Sequence, residues 1–211
     1  MATSDKGCLS GCLSVLLIIG FLVLVVSLVG RSNDQTSRTS STVVSSGTQP
    51  PVSEVIPKGE EAFIEVVQSF ERQYDAAPND LKKSARRTER ARAIATILSR
   101  FGPPRRWIGT IDDIGTNSEG KAYVSIKLGG SEVIVKTWNN FVSDVEDQTL
   151  INQGTNMYSV LSELSNGSTI AFSGEFIPAA KDHIKEASLT EQGSMTEPEF
   201  LIRLRTINPH N

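Results

Sequence analysis

The residues best equipped for chemistry are few. Asp182-His183 with Glu186 brings nitrogen and carboxylate ligands close together, as a metal site needs. Three polar residues on one loop supply neither a converging ligand set nor a supporting shell, so no metal is expected there. The second histidine, His210, is the penultimate residue. Asp112-Asp113 and the Asp144/Glu146/Asp147 cluster are candidates for carboxylate catalysis or Ca²⁺ binding, yet their spacing fits no EF-hand loop. They read as solvated loop acids. Ser188, Thr190, Ser194 and Thr196 crowd one stretch. No nucleophile elbow or P-loop surrounds them to activate a hydroxyl or cradle a phosphate. The expectation is a protein that is not an enzyme and uses no cofactor.

Charge points instead to binding. The net charge of −3 conceals a strong asymmetry. Residues 81–106 hold nine Lys/Arg against Glu89 alone, whereas Trp107 onward holds seven basic and fourteen acidic residues. Lys82, Lys83, Arg86, Arg87 and Arg90 would let one helix contact an anionic surface, either lipid headgroups or nucleic acid. The competing reading pairs these charges with an acidic neighbouring helix in a hairpin. The acidic balance of the remainder disfavours a polyphosphate ligand for that part.

The elements that would position these residues follow from hydropathy. After a short tail (1–7), Cys8 to Gly30 runs 23 residues without a charge. Roughly 20 apolar residues cross the hydrocarbon core as a helix, so this stretch is expected to be a single-pass transmembrane anchor. A cleaved signal peptide would have an apolar core of about 7–15 residues and a small-residue cleavage site. Leu9-Ser10-Gly11-Cys12 spells a lipobox, but a lipobox follows its apolar stretch and this one precedes it. Residues 31–58 are rich in Ser and Thr and contain Pro50, Pro51 and Pro57, a composition that reads as a disordered linker. Its reach would be on the order of 30 Å.

Residues 59–104 read as two helices. Phe63, Val66, Val67, Phe70 and Tyr74 form a helical stripe over Glu60 to Asp75, with Glu60, Glu61 and Glu65 near its positive end. Pro78 ends it, and Asn79 or Asp80 caps a second helix over Leu81 to Arg100. Leu81, Ala85, Ala91, Ile94, Ala95 and Leu98 are its expected apolar face, and Gly102-Pro103-Pro104 stops it.

From Trp107 the period changes to two. Strands are expected over Trp107 to Ile114, with Gly109 allowing a bend or bulge, then Ala122 to Leu128, Val133 to Trp138, Ser168 to Ile177 and Glu199 to Ile207. A short helix over Met157 to Leu164 separates the third and fourth. The fold class is therefore mainly β. A five-stranded OB-fold barrel occupies 105–208, preceded by a helical hairpin and the N-terminal transmembrane helix.

Trp107 to Ile111 (WIGTI), Leu161 to Gly174 (LSELSNGSTIAFSG) and Glu186 to Phe200 (EASLTEQGSMTEPEF) resemble the tRNA-anti-like OB-fold family. In that family, small bacterial proteins often carry such a domain behind one hydrophobic anchor. The resemblance covers the last half of the chain and implies a fold, with no functional residues to carry across. OB-folds bind oligonucleotides or oligosaccharides on the face of the second and third strands. Here that face would offer Tyr123, Lys127, Lys136 and Trp138, with Ser125 and Ile134 beside them and Ser188 and Thr190 on the rim.

The expected protein is a membrane-anchored, non-catalytic binding module of the bacterial inner membrane. Its C-terminal domain would be extracytoplasmic, contacting an envelope protein or glycan. The alternative is a nucleic-acid binder using the basic helix 81–106. The topology is open to a direct test. A C-terminal phosphatase fusion should be active and a C-terminal fluorescent-protein fusion dark, and the reverse pattern would sink the extracytoplasmic assignment.

Overall fold

The computed structural model describes residues 56–210. The expected span Cys8–Gly30 and nearly all of the 31–58 linker lie outside them. Among the described residues, no helix is long and apolar enough to cross a membrane.

The first helix, α1 (Lys58–Asp75), begins directly after Pro57, whose carbonyl accepts from Glu60 N and Glu61 N at 2.9 and 3.0 Å. Proline suits this position because it lacks an N–H that a helix start would leave unsatisfied. The second, α2 (Asp80–Phe101), is capped as its sequence suggests, with Asn79 Oδ1 accepting from Lys82 N at 3.0 Å. It ends at Gly102, whose φ of 79° turns the chain where a Cβ would be strained. The inward stripe of α2 differs from the expected one. Leu81 is 86% exposed and Ala85 is exposed, while Arg90, Ala91 and Ile94 are buried. Arginine thus occupies a core position because the opposing surface supplies carboxylates, described below.

Five strands close into a barrel: β1 (Trp107–Thr116), β2 (Ala122–Leu128), β3 (Ile134–Lys136), β4 (Thr169–Phe176) and, last in sequence, β7 (Glu199–Pro209). The order is β1-β2-β3-β7-β4, closing on β1, with every pairing antiparallel except β3 with β7. A closed, five-stranded mixed barrel behind two helices is consistent with an OB-fold. Between β3 and β4 come two helices rather than one, a single turn α3 (Phe141–Asp144) and α4 (Asn156–Ser162). Between β4 and β7 the expected loop is instead a small hairpin, β5 (Pro178–Ala179) with β6 (His183–Ile184), followed by α5 (Glu191–Thr196). These pieces are too short to leave a periodic signature in sequence.

Alternation holds where a strand lines the core. Val124, Ile126 and Leu128 are buried, as are Phe200, Ile202 and Leu204. Ser125, expected on the outer face, is also buried, a short side chain set opposite the longer Lys136. Both barrel ends are stopped by helices. Phe63 of α1 is fully buried and packs its ring 5.1 Å from Phe200, 5.2 Å from Phe176 and 5.4 Å from Trp107. Aromatic pairs at such separations contribute beyond their buried area. Glu60, one turn earlier, accepts from Ile108 N at 2.8 Å and so pins α1 to the start of β1. At the other end, Leu161 of α4 is buried beside Ile114 and Ala122.

Of the bend or bulge expected at Gly109, the bulge lies elsewhere. The β1–β2 register slips at Asp112, between Ile111 and Asp113. Gly109 is needed for close approach instead: a Cβ there would sit 2.4 Å from Ile126 Cγ2 and 2.7 Å from the Lys127 carbonyl oxygen. Gly109→Ala should therefore destabilise the domain by about 1–3 kcal/mol, as overpacking of a tight core does. A urea midpoint unchanged from the wild type would show that this contact is not close in solution.

Candidate functional site

The β2–β3 face is built by register. Ser125 lies opposite Lys136 and Lys127 opposite Ile134, while Ile134 pairs onward with Glu199 of β7. Tyr123 pairs with Gly115, and a Cβ at Gly115 would meet the Tyr123 hydroxyl at 2.6 Å. The tyrosine ring therefore lies across the neighbouring strand in the space the glycine leaves. Tyr123, Lys127, Lys136 and Trp138 are all partly exposed.

Lys127, Lys136 and Trp138 of this face already have partners. Lys127 Nζ lies 3.1 Å from Glu132 and 3.5 Å from Asp112, and these neighbours raise its pKa, with the Glu132 hydrogen bond foremost. Lys136 Nζ lies 2.9 Å from Glu199. Trp138 donates its indole N–H to Asp147 Oδ2 at 2.7 Å, which fixes the ring in place. Ser188 and Thr190 serve the turn into α5: Ser188 Oγ donates to the Thr190 carbonyl, and Thr190 Oγ1 accepts from Gly193 N at 3.0 Å. The stretch read as an open rim is thus partly helical, with Ser194 and Met195 buried. α5 packs on α1 and α2.

Two of the acids expected to be solvated are not. Asp144 is buried and accepts from Thr149 Oγ1 at 2.7 Å and from Leu150 N at 3.1 Å, closing the loop after α3 on itself. Asp147 is buried and takes both Trp138 and the Lys185 ammonium, the latter at 2.7 Å. Their role is structural: each satisfies donors that the loop would otherwise bury unpaired. Asp112, Asp113 and Glu146 are exposed.

The five basic residues of α2 are divided. Lys82 is exposed, Lys83 Nζ stands 5.3 Å over the Tyr74 ring, and Arg86 pairs with Glu89 one turn on. Arg87 grips Asp182 through two hydrogen bonds of 2.8 and 2.7 Å, which raise its pKa. Arg90 is only 1% exposed; it donates to the Ser194 carbonyl at 2.6 Å and to Glu186, and its guanidinium carbon stands 5.6 Å from the Phe200 ring centre. Arg87 and Arg90 are therefore engaged within the fold. They do not find their partners on α1, where the hairpin reading put them. They pair with the segment between β4 and β7.

The same pairing accounts for Asp182 and Glu186, which hold arginines, while His183 between them is exposed. Among the described residues, no three His, Cys, Asp or Glu side chains converge as metal ligands. The missed signal was available: Arg87, Arg90, Ala91, Ile94 and Leu98 share one helical stripe, so two arginines lay on a face that also carries the apolar residues.

Compared with family models, curated proteins and solved structures, the chain finds no match.

Burial dominates the electrostatics of the Arg90–Glu186 pair. Desolvation lowers the Arg90 pKa and pushes Glu186 from 4.5 up to about 7, with the attraction between them opposing both shifts. Asp182 adds a like charge that raises Glu186 further. A carboxyl whose folded pKa lies above its unfolded one holds its proton more tightly when folded. Its contribution to stability therefore falls as pH rises from about 4.5 to about 7. The stability difference between wild type and Glu186→Gln should shrink across that window and stay flat above it, measured by urea unfolding. A difference that grows with pH would mean that Arg90 outweighs burial.

Proposed function

We propose that the chain is a membrane-anchored, non-catalytic binding module of the OB-fold type, similar to the tRNA-anti-like family. On this reading Cys8 to Gly30 anchors it in a bacterial inner membrane. The barrel then presents its β2–β3 face outside the cytoplasm to an envelope protein or glycan. One observation carries the choice of ligand class: the cations of the face are neutralised by carboxylates of the same domain, Lys127 by Glu132 and Asp112, and Lys136 by Glu199.

Nucleic-acid binding releases counterions when free Lys and Arg replace them on phosphates, so cations already paired add little. Breaking each pair would also expose a carboxylate to the polyphosphate. A surface of Tyr123, Ile134 and paired polar groups suits hydrogen bonding and apolar contact with a neutral glycan or a protein. The nucleic-acid reading, which relied on the basic helix, is weakened further because Arg87 and Arg90 are engaged within the fold.

A photo-crosslinking residue placed at Tyr123 or Ile134 of the full chain, activated in intact cells, tests this. The expected product is a discrete adduct removed by protease or by a cell-wall hydrolase. An adduct removed by nuclease would put nucleic acid on this face in place of a protein or glycan, and no adduct from either position would end the binding-module reading.

A further inference from the structure

A second surface lies away from the β2–β3 face, where the β5–β6 hairpin runs along α2. Between them is a cleft of about 220 Å³ with Arg92 on the helix side and Lys181 and His183 on the hairpin side. Ala91, Ala95 and Ala179 contribute to its walls, so short side chains leave room beneath the cationic groups. No carboxylate lines it.

The acids nearest in sequence are already engaged. Asp182, between Lys181 and His183, is held by Arg87, and Glu186 is held by Arg90. Arg92 and Lys181 are exposed and, among the described residues, have no carboxylate partner within ion-pair distance. This sets them apart from Lys127, Lys136 and Lys185, each of which has one.

The cleft is also held in shape. The Arg87–Asp182 bidentate pair joins its two walls through residues next to those that line it. His183 takes a φ of 68°, a left-handed conformation uncommon for a residue with a Cβ, and so is directed by the hairpin rather than by its own preference. Strain of this kind is tolerated where surrounding structure over-determines it.

Next to this cleft, and sharing His183, is a second of about 270 Å³ lined mostly by apolar side chains, among them Leu98, Pro103, Phe176 and Ile184. Its one acid, Glu175, is paired with Arg205 at 3.0 Å. A ligand spanning both clefts would carry an anionic head and an apolar substituent.

We propose that the cleft between α2 and the β5–β6 hairpin binds the phosphate group of a phosphate ester whose apolar part lies in the adjoining cleft. Phosphate fits better than carboxylate because cationic groups approach from two walls. A tetrahedral anion can accept from several directions at once, whereas a carboxylate accepts in one plane. The phosphate could belong to a lipid headgroup or to a soluble ester, and the chemistry of recognition is the same.

The test uses the full ¹⁵N-labelled chain in nonionic detergent micelles and follows backbone amide resonances. Phenyl phosphate is titrated in one arm, inorganic phosphate in a second, and phosphatidic acid is doped into the micelles in a third. Saturable shifts at Arg92, Ala180, Lys181 and His183 are expected, with phenyl phosphate binding more tightly than inorganic phosphate. Arg92→Gln with Lys181→Gln should weaken binding by at least about tenfold, the loss of charge-assisted hydrogen bonds. Lys58→Gln with Arg100→Gln, exposed cations outside the cleft, should leave it unchanged. Shifts in the phosphatidic acid arm identify a lipid source, and shifts confined to phenyl phosphate a soluble one. The proposal is overturned if no arm moves these resonances, or if the shifts survive Arg92→Gln with Lys181→Gln. Neither result bears on the β2–β3 face, so this site and the proposed envelope contact stand or fall separately.

Discussion

Arg90 is the residue on which the arrangement of the domain turns. Removing a guanidinium from water costs several kcal/mol unless its donors are met and its charge is opposed. Arg90 is buried against Glu186, the Ser194 carbonyl and the Phe200 ring. Each of those partners lies on a different piece of the chain: the crossover after β6, the helix α5 and the barrel strand β7. One side chain thereby ties the helical segment to everything between β4 and β7. Arg87, one turn earlier, adds the bidentate grip on Asp182 at the hairpin tip. The crossover is not a free loop, because its acids are the counter-charges of a helix laid down a hundred residues before it.

That tie explains why the helices and barrel form a single core. Phe63 enters the aromatic cluster of Trp107, Phe176 and Phe200 from α1, and Phe200 is the residue whose ring also receives Arg90. Apolar closure and charge pairing meet at one side chain. The barrel end beneath α1 is filled by this aromatic cluster, whereas at the α4 end a cavity of about 210 Å³ lies between α4 and the β1–β2 strands.

The parts of this structure legible in sequence are those governed by period and punctuation. The stripe Phe63, Val67, Tyr74, the cap at Asn79, the stop at Gly102 and the alternation through Val124, Ile126 and Leu128 all follow from local rules. The sequence order of the five barrel strands is legible as well, whereas α3, the β5–β6 hairpin and α5 are not. What escaped is long-range. Nothing near Asp144 or Asp147 says that they will be buried, because their partners Thr149, Trp138 and Lys185 are chosen by the fold. The same holds for Glu186, whose partner is 96 residues away. Acidic clusters in a polar stretch look alike whether they face water or satisfy a loop, and only the donors around them distinguish the two. Arg87 and Arg90 gave the stronger hint, since charges on an apolar stripe require opposing charges somewhere in the protein.

The charge asymmetry along the chain takes on a different meaning in this light. A basic segment followed by an acidic domain suggests two surfaces of opposite character, one for phosphates and one that repels them. The fold instead brings them together, so that basic α2 and the acidic crossover neutralise each other across their contact. Cations left over after such pairing are more informative than the total. On the β2–β3 face each lysine faces a carboxylate, and the surface is suited to hydrogen bonding with a weakly charged partner. Beside the hairpin, pairing Asp182 with Arg87 and Glu186 with Arg90 leaves Arg92 and Lys181 without carboxylates. The interaction that holds the domain together is therefore also what leaves one small region of it positively charged. An anion bound there would engage cations whose competing acids the fold has already removed.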